Sequence, residues 1–239
     1  MDNPGYVALT RMRGLADELR VVANNVANLA TVGFRGEQVV FAEVLVAADV
    51  DGGALAMAAP RAHVTDPSPG GFRPTGGALD IAIAGDGYFQ VQTPEGVRLT
   101  RAGAFSRSVE GLVVNAQGHA LLDAGGAPIG LPPDMADIHI TEDGTVTAEG
   151  EPVAQIGLVT ADPLSLVRLD GVLFRADGDV EEDAESRVMQ GFLEESNVSP
   201  VAEIARLIEV QRAYELGQSL LDLEDQRIRE AVRTLGRSA

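Results

Sequence analysis

The first thirty residues carry apolar side chains at the spacing of a helix in a coiled coil. Steps of four and three residues alternate along one stripe, which consists of Ala8, Met12, Leu15, Leu19, Val22, Val26 and Leu29. Charged residues such as Arg11 and Asp17 fall off this stripe. The pattern predicts an amphipathic helix over residues 6–30. It stops at Thr31-Val32-Gly33, where Gly33 can adopt the positive φ of a helix C-cap.

From Ala78 the apolar period changes to two, which is the period of a half-buried strand. Short apolar runs follow one another and are separated by hairpin-type turn sequences, namely Thr93-Pro94-Glu95-Gly96, Glu110-Gly111 and Glu142-Asp143-Gly144. No ten-residue helical pattern interrupts residues 78–180. The middle of the chain is therefore expected to be an antiparallel β domain.

A second helical pattern starts near residue 188 and strengthens after Pro200, which follows the potential N-cap residue Ser199. Its apolar stripe has a gap at Glu224 and consists of Ile204, Leu207, Val210, Tyr214, Gly217, Leu221, Ile228, Ala231 and Leu235. A helix of roughly 35 residues is on the order of 50 Å long. A small β domain cannot cover such a helix, so we expect the terminal helices to pack against each other and against neighbouring chains.

These patterns predict an α+β fold in four segments. Two helical assembly segments, 1–35 and 188–239, flank an extended linker region, 36–77, and an antiparallel β domain, 78–187. Within the linker region, the run over residues 39–46 fits either a strand or a buried helix.

The charge, aromatic content and cysteine count of the chain argue against several classes of function. The 239 residues carry 18 Lys and Arg against 36 Asp and Glu, a net charge of −18, which disfavours nucleic acid and anionic membranes as partners. Aromatic residues make up only 4% of the chain, and cysteine is absent, which excludes disulfides and thiolate sites. The charged first twenty residues do not fit a secretory signal peptide.

No pattern of residues points to catalysis or to a cofactor. His63, His119 and His139 lie far apart in sequence, and Gly85-Asp86-Gly87 lacks the remainder of a dinucleotide fingerprint. The acidic run over residues 177–185 lacks the glycine and glutamate that a calcium loop requires, so it is interpreted as a solvated loop. We expect no catalytic site, no metal and no cofactor.

Three sequence blocks resemble the bacterial flagellar rod and hook proteins. The first is ANNVANLATVGFR at residues 23–35, the second covers residues 76–122 with GDGYFQV and TRAGAF, and the third covers residues 190–215 with SNVSPV and QRAYE. Ala30 and Val32 depart from the residues common in the first block. The two ends of the chain look most like the proximal rod branch of the family, and the distal rod branch is the alternative.

The resemblance implies a non-enzymatic subunit of the periplasmic rod of the flagellar basal body, which transmits torque for motility. It implies helices from both termini as an inner layer, export by the flagellar type III apparatus without a cleaved signal, and other rod proteins as partners, with proximal subunits below and the distal rod protein above. Further copies of the chain are expected as partners, and membrane insertion is not.

We expect the assembly interface to include residues of both stripes and of the first and third blocks. These are Met12, Leu15, Leu19, Val22, Asn24, Asn25, Val26, Asn28, Gly33, Phe34, Ile204, Leu207, Val210, Gln211, Arg212, Tyr214, Leu221 and Ile228.

Two hypotheses from other classes remain open at this point. The chain could be a β-domain binding module that its helices dimerise. It could also be a secreted enzyme with an unrecognised carboxylate site.

Overall fold

The computed structural model describes residues 3–47, 54–132 and 137–236, and these form two compact units. The helical unit comprises Met1–Ala27, Glu37–Val64 and Ser199–Ala239. The β unit comprises Asn28–Gly36 and Thr65–Val198. Each unit is built from separate stretches of the chain, so contacts between residues far apart in sequence hold it together.

The helical unit contains helices α1 (Asn3–Ala27) and α2 (Pro200–Gly236) and strands β1 (Glu37–Ala47) and β2 (Ala54–Thr65), where β2 reaches the boundary of the unit. The two strands pair in a two-stranded sheet. The run over residues 39–46 is thus a strand and not a buried helix. Its valine-rich sequence suits a strand.

Helix α1 ends at Ala27, earlier than the apolar period predicts. Beyond it the chain turns, because Asn28 O accepts the N–H of Thr31 (3.1 Å) and Thr31 O accepts the N–H of Phe34 (3.2 Å). Leu29 is therefore not helical, and Gly33, although its φ is +66°, is not the helix C-cap. Local turn bonds replace the last helical turn that the sequence suggests.

Helix α2 begins at Pro200, as the start signal predicts, and not near residue 188. Its first helical hydrogen bond runs from the N–H of Glu203 to Ser199 O (3.0 Å). With 37 residues it is about 55 Å long. The helical period seen from residue 188 is overridden by tertiary pairing, because residues 187–190 and 192–194 are strands.

The β unit consists of short strands that follow one another along the chain. They are β3 (Phe72–Pro74), β4 (Ile81–Ala84), β5 (Tyr88–Thr93), β6 (Gly96–Thr100), β7 (Phe105–Arg107), β8 (Val113–Asn115), β9 (Ala120–Leu121), β10 (Ile138–Ile140), β11 (Thr145–Ala148), β12 (Glu151–Gln155), β13 (Leu158–Ala161), β14 (Leu166–Asp170), β15 (Leu173–Ala176), β16 (Val180–Glu182), β17 (Arg187–Gln190) and β18 (Phe192–Glu194).

All strand pairs with a defined register in the β unit are antiparallel. The largest sheet has the order β14-β15-β6-β5-β9-β8-β7, and β13 joins it by pairing with β5 and β16. The strands β10-β11-β12 form a second sheet, and the pairs β17-β4 and β18-β3 complete the unit. Together with the packing of α1 on α2, this confirms the predicted α+β class.

The three hairpin turns predicted from the sequence join paired strands. They connect β5 with β6, β7 with β8, and β10 with β11. The acidic run over residues 177–185 is exposed except for the half-buried Asp183, and it is not loop throughout, because β16 pairs with β13.

The core of the β unit consists of a larger and a smaller cluster of apolar side chains. The larger cluster contains Ile81, Ile83, Phe89, Val91, Phe105, Val113, Leu121, Ile129, Leu131, Ile140, Val146, Ile156, Leu158 and Val188. The smaller one contains Tyr88, Leu99, Val159 and Phe174.

Candidate functional site

Helices α1 and α2 pack against each other within the helical unit. The least exposed positions of α2 recur at steps of three and four residues, and they are Glu203, Leu207, Val210, Ala213, Tyr214, Gly217, Leu221 and Glu224. On α1 the stripe positions from Ala8 to Val26 are buried or half-buried. The two predicted stripes therefore face each other in the same chain between Leu207 and Leu221. Ile204 and Ile228 of the predicted α2 stripe are exposed, and the side chains of Ala231 and Leu235 lie outside the described part of the chain.

Gly217 lies where the two helices approach closely. A Cβ atom at this position would lie 3.1 Å from Met12 Cγ, which is tighter than ordinary van der Waals contact. Glycine inside a helix costs about 1 kcal/mol relative to alanine, so its presence calls for a packing reason. The approach of Met12 provides that reason.

An ion pair links the middle of α1 to the first half of α2. Arg206 Nε donates to Glu18 Oε1 over 2.6 Å, and the Glu18 side chain is largely buried. Arg206 also donates to Glu209 on its own helix (2.9 Å). Burial opposes the charge on Arg206, but the hydrogen bonds to Glu18 and Glu209 outweigh it and raise the pKa of the guanidinium.

Asn25, in the first sequence block, connects α1 with β1 and with the start of α2. Its side-chain amide donates to Glu37 O (2.9 Å) and its Oδ1 accepts the N–H of Glu37 (3.0 Å), so it pairs with both backbone groups of that residue. The amide also donates to Glu203 Oε1 (3.3 Å). Asn25 is only 2% exposed, so an aspartate or an apolar residue there would leave buried polar groups unsatisfied.

The side of α2 that faces away from α1 carries large exposed apolar residues. These are Val201, Ile204, Ile208, Leu216, Leu220 and Leu223. Ile228 and Val232, nearer the end of α2, are exposed as well. Isolated exposed apolar side chains are common on protein surfaces, but eight on one helix mark a surface that a partner can cover.

Gly33, Phe34 and Arg35, at the end of the first sequence block, are buried in the β unit. A Cβ atom on Gly33 would overlap the backbone of Arg101 and Ala102, so only glycine fits this position. The Gly33 N–H donates to Glu194 O (2.8 Å). This segment is thus part of the β unit and not a continuation of the helix.

Phe34 is fully buried and lies under the guanidinium of Arg168. The Arg168 Cζ atom is 4.6 Å from the centre of the Phe34 ring and 4.7 Å from that of Phe174. A cation between two aromatic faces gains from both ring quadrupoles. Arg168 also donates to the carbonyl oxygen of Arg35, which fixes the backbone of the segment.

A buried ion cluster, formed by Arg35, Arg101 and Glu194, joins all three sequence blocks. Arg35 Nη2 lies 2.7 Å from Glu194 Oε1, and Arg101 Nε lies 2.9 Å from Glu194 Oε2. All three side chains are at most 3% exposed. Arg101 further donates to the carbonyl oxygens of Gly85 (3.0 Å) and Gly87, so it also holds the turn before β5.

Burial shifts the pKa of Arg35 in the cluster and that of Tyr88 beside it. Burial lowers the pKa of the Arg35 guanidinium, and the charge of Glu194 acts in the opposite direction. Burial also raises the pKa of the Tyr88 phenol, which lines a cleft of about 430 Å³ together with Arg35. The cluster is a packing element of the β unit, since each of its charges has a partner of opposite sign.

The predicted interface residues divide into three groups. Those buried or half-buried in the helical unit are Met12, Leu15, Leu19, Val22, Asn24, Asn25, Val26, Leu207, Val210, Tyr214 and Leu221. Those exposed on α2 are Ile204, Gln211, Arg212 and Ile228. Asn28, Gly33 and Phe34 belong to the β unit. Their role in assembly stays a prediction.

Sequence reasoning missed Arg101, Arg168 and Glu194. Arg101 lies inside the TRAGAF motif, so its motif position was a usable signal. Nothing in the sequence distinguishes the buried Glu194 from the exposed Glu195 next to it, because only the fold decides which carboxylate meets the arginines.

In the described part of the chain, no group of three or more histidine, aspartate or glutamate side chains is arranged to hold a metal ion. His63 and His139 are exposed, and His119 is half-buried. None of the helices among the described residues combines the length and the apolarity that crossing a membrane requires.

Three protein-family models match separate parts of the chain. "Flagella basal body rod protein" matches residues 6–35, "Flagellar hook protein FlgE/F/G D1 domain" matches residues 82–148, and "Flagellar basal body rod FlgEFG protein C-terminal" matches residues 189–234. These matches overlap the three blocks that carried the resemblance.

Relatives similar to the chain cover nearly all of it. The flagellar basal-body rod protein FlgF of Caulobacter vibrioides is 38% identical over 248 residues, with 99% of both chains covered. FlgF of Mesorhizobium japonicum is 37% identical, again with 99% of both chains covered. The flagellar basal-body rod protein FlgG of Bacillus subtilis is 30% identical over 95% of this chain and 97% of the relative. The chain therefore belongs to the flagellar basal-body rod protein family, a family of structural proteins.

Proposed function

We propose that the chain is a subunit of the proximal part of the rod, that its helical unit assembles with other rod subunits, and that the assembled shaft transmits torque. The relatives named FlgF, at 37–38% identity over nearly the whole chain, support the proximal branch over the distal one. The relative named FlgG matches at 30%.

The observation that carries the proposal is the contrast between the two sides of α2. Between Glu203 and Glu224 one side is covered by α1, and the other exposes large apolar side chains; near the end of this 37-residue helix, Ile228 and Val232 are exposed as well. Such a helix is only marginally stable without packing along its length. Neighbouring subunits would complete that packing, and close-packed side chains resist the sliding that torque would otherwise produce.

Other rod proteins and further copies of the chain are the proposed partners, with the distal rod protein above. The proposed route to the rod is the flagellar type III export apparatus, which family membership supports. The net charge of −18 argues against nucleic acid as a partner.

The test is to locate the chain in purified basal bodies. A short epitope can be placed in the turn between β7 and β8, where Val109 is fully exposed and makes no packing contact to lose. In motile cells that carry the tagged chain, gold-labelled antibody should bind the membrane-proximal end of the rod. Label at the hook-side end would favour the distal assignment, and a soluble dimer absent from basal bodies would favour a dimeric binding module.

A further inference from the structure

The cleft of about 430 Å³ beside the ion cluster lies entirely within the β unit. Clefts of this size hold small organic molecules in other proteins. Its lining includes two buried side chains, Arg35 and Tyr88, and several exposed residues, among them Asp86, Pro163 and the segment 67–69. The buried pair therefore marks the inner part of the cleft, and the exposed residues mark its mouth.

The lining is held in place by hydrogen bonds and strand pairing. Arg35 Nη1 donates to Pro67 O (2.6 Å) and to Ser68 O, and Asn197 Nδ2 also donates to Ser68 O (2.9 Å). Strand β13, which contributes further lining residues at its end, pairs with β5 at Tyr88. The cleft is thus preformed, and a ligand that enters it needs to order little of the chain.

Arg35 has a hydrogen-bond donor that the protein does not use. A guanidinium carries five N–H groups. Nη1 donates to two carbonyl oxygens and Nη2 lies against Glu194, but the buried Nε has no acceptor in the described part of the chain. The Arg35 side chain is only 3% exposed. Because buried donors are almost always satisfied in folded proteins, this one calls for an acceptor from outside the chain.

The charges around the cleft indicate which acceptor fits. Within the ion cluster, Arg35 and Arg101 share the single carboxylate of Glu194, so one positive charge is in excess. Burial raises the pKa of the Tyr88 phenol, so its hydroxyl is protonated at neutral pH and can donate. The inner part of the cleft therefore favours an anion, whereas the exposed carboxylate of Asp86 disfavours a second negative charge on it.

We propose that this cleft binds a small organic monocarboxylate. Its carboxylate accepts hydrogen bonds from Arg35 Nε and the Tyr88 hydroxyl, and its apolar body lies against Pro67, Pro69 and Pro163. An inorganic phosphate fits less well, because it has no apolar body and carries more negative charge near Asp86. The inference concerns the β unit alone and does not depend on the position of the chain in the rod.

The probe is para-fluorobenzoate, which joins one carboxylate to an apolar ring. Added to the full chain, it should show saturable broadening of its fluorine NMR signal, with a Kd on the order of 1 mM. Unlabelled benzoate should compete with it. The amide para-fluorobenzamide has the same ring and no charge, so it should bind at least about tenfold more weakly.

Two substitutions should change the affinity in opposite directions. Tyr88→Phe keeps the ring in the core and removes the hydroxyl, so the Kd should rise at least about fivefold. Asp86→Asn removes the exposed negative charge, so the Kd should fall about twofold. The control is Arg187→Gln, which removes an exposed cation that pairs with Glu142 and does not line the cleft. It should leave the Kd unchanged, and circular dichroism should show that each variant is folded.

Several results would overturn the proposal. Absence of saturable broadening up to about 10 mM probe would mean that a water molecule satisfies Arg35 Nε. Equal affinity for the benzoate and the benzamide would mean that the cleft does not select a carboxylate. A Kd that neither Tyr88→Phe nor Asp86→Asn changes would place the probe elsewhere on the chain. If Tyr88→Phe does not fold, Asp86→Asn decides alone, and a Kd that does not fall contradicts the proposal.

Discussion

Arg101 and Glu194 form an ion pair from which water is excluded: Nε and Oε2 lie 2.9 Å apart, and each side chain is 1% exposed. The two residues are 93 positions apart in sequence. Their pairing brings the end of β18 to the segment after β6, and Arg35 adds the first sequence block to the same carboxylate. The ion cluster therefore fixes the relative position of three distant stretches of the β unit.

Glu194→Gln should destabilise the β unit strongly. The substitution keeps the shape of the side chain but leaves Arg35 and Arg101 buried without a counter-charge, which typically costs about 3–5 kcal/mol. Urea unfolding of the full chain, followed by circular dichroism, measures the change. The matched control is Glu195→Gln, because Glu195 pairs with Arg73 over 3.3 Å with both side chains about half exposed. That pair should contribute less than about 1 kcal/mol. Equal effects of the two substitutions would show that the cluster does not stabilise the unit.

Gly33→Ala should lower the free energy of unfolding by more than the positive φ of Gly33 alone explains. Gly118 also has a positive φ, +83°, but a Cβ atom there meets nothing within 4 Å, so Gly118→Ala isolates the backbone cost of about 1–2 kcal/mol. At Gly33 the new methyl group would in addition overlap the backbone of Arg101 and Ala102. The free energy of unfolding should fall at least twice as much as in Gly118→Ala. If the two substitutions lower the free energy of unfolding equally, the backbone at Gly33 can move away from Arg101 and Ala102 without a loss of stability.

Asn25→Asp should make the helical unit less stable at neutral pH, by about 2–3 kcal/mol. Aspartate cannot donate to Glu37 O, and its charge would lie beside the Glu203 carboxylate. That environment raises the pKa of the new carboxyl in the folded state, so the destabilisation holds above this pKa and shrinks as the pH falls through it. The measurement is the free energy of unfolding of Asn25→Asp and of the wild type, and the difference between them is compared at pH 7 and at pH 4. Gln38→Glu, at an exposed neighbouring position, should show no such dependence. A difference that stays constant with pH would contradict the assigned hydrogen bonds.

Leu221→Asp should open the helix pair and leave the β unit intact. Leu221 is half-buried on the side of α2 that carries Val210 and Gly217, so the substitution places a carboxylate in an apolar contact. Hydrogen exchange should show lost protection in α1 and α2 and unchanged protection in the strands β4–β9, and cells with the variant should not swim. Gln218→Asp adds the same charge at an exposed position, and it should preserve both the exchange protection of the two helices and swimming. Normal swimming of Leu221→Asp cells with wild-type levels of protein would show that this side of α2 is dispensable for assembly.

Much of the fold was predictable, because local signals and the apolar period agree. Pro200 begins α2 as predicted, and the turns after β5, β7 and β10 were visible as turn sequences. The predicted non-enzymatic rod protein is confirmed by the family and its relatives. The period also located the stripe of α1 correctly, and that of α2 from Leu207 to Leu221, whereas the predicted stripe positions Ile204 and Ile228 are exposed.

What the period could not reveal is which contacts form. A stripe at coiled-coil spacing has the same appearance whether its partner is the same chain or another one, and here α1 covers the stripe of α2 from Leu207 to Leu221. Residues 187–194 show a helical period, yet strand pairing with β3 and β4 prevails. The ion cluster depends on residues that are distant in sequence, and no local pattern encodes such a contact.

The most direct test of the account is a density map of purified basal bodies in which side chains are resolved and the chain is traced. The account predicts that α1 of each copy packs on its own α2, and that the exposed side of α2 contacts helices of adjacent rod subunits at Ile204 and Leu220. A rod in which the exposed side of α2 faces solvent, or in which the chain is absent, would contradict it.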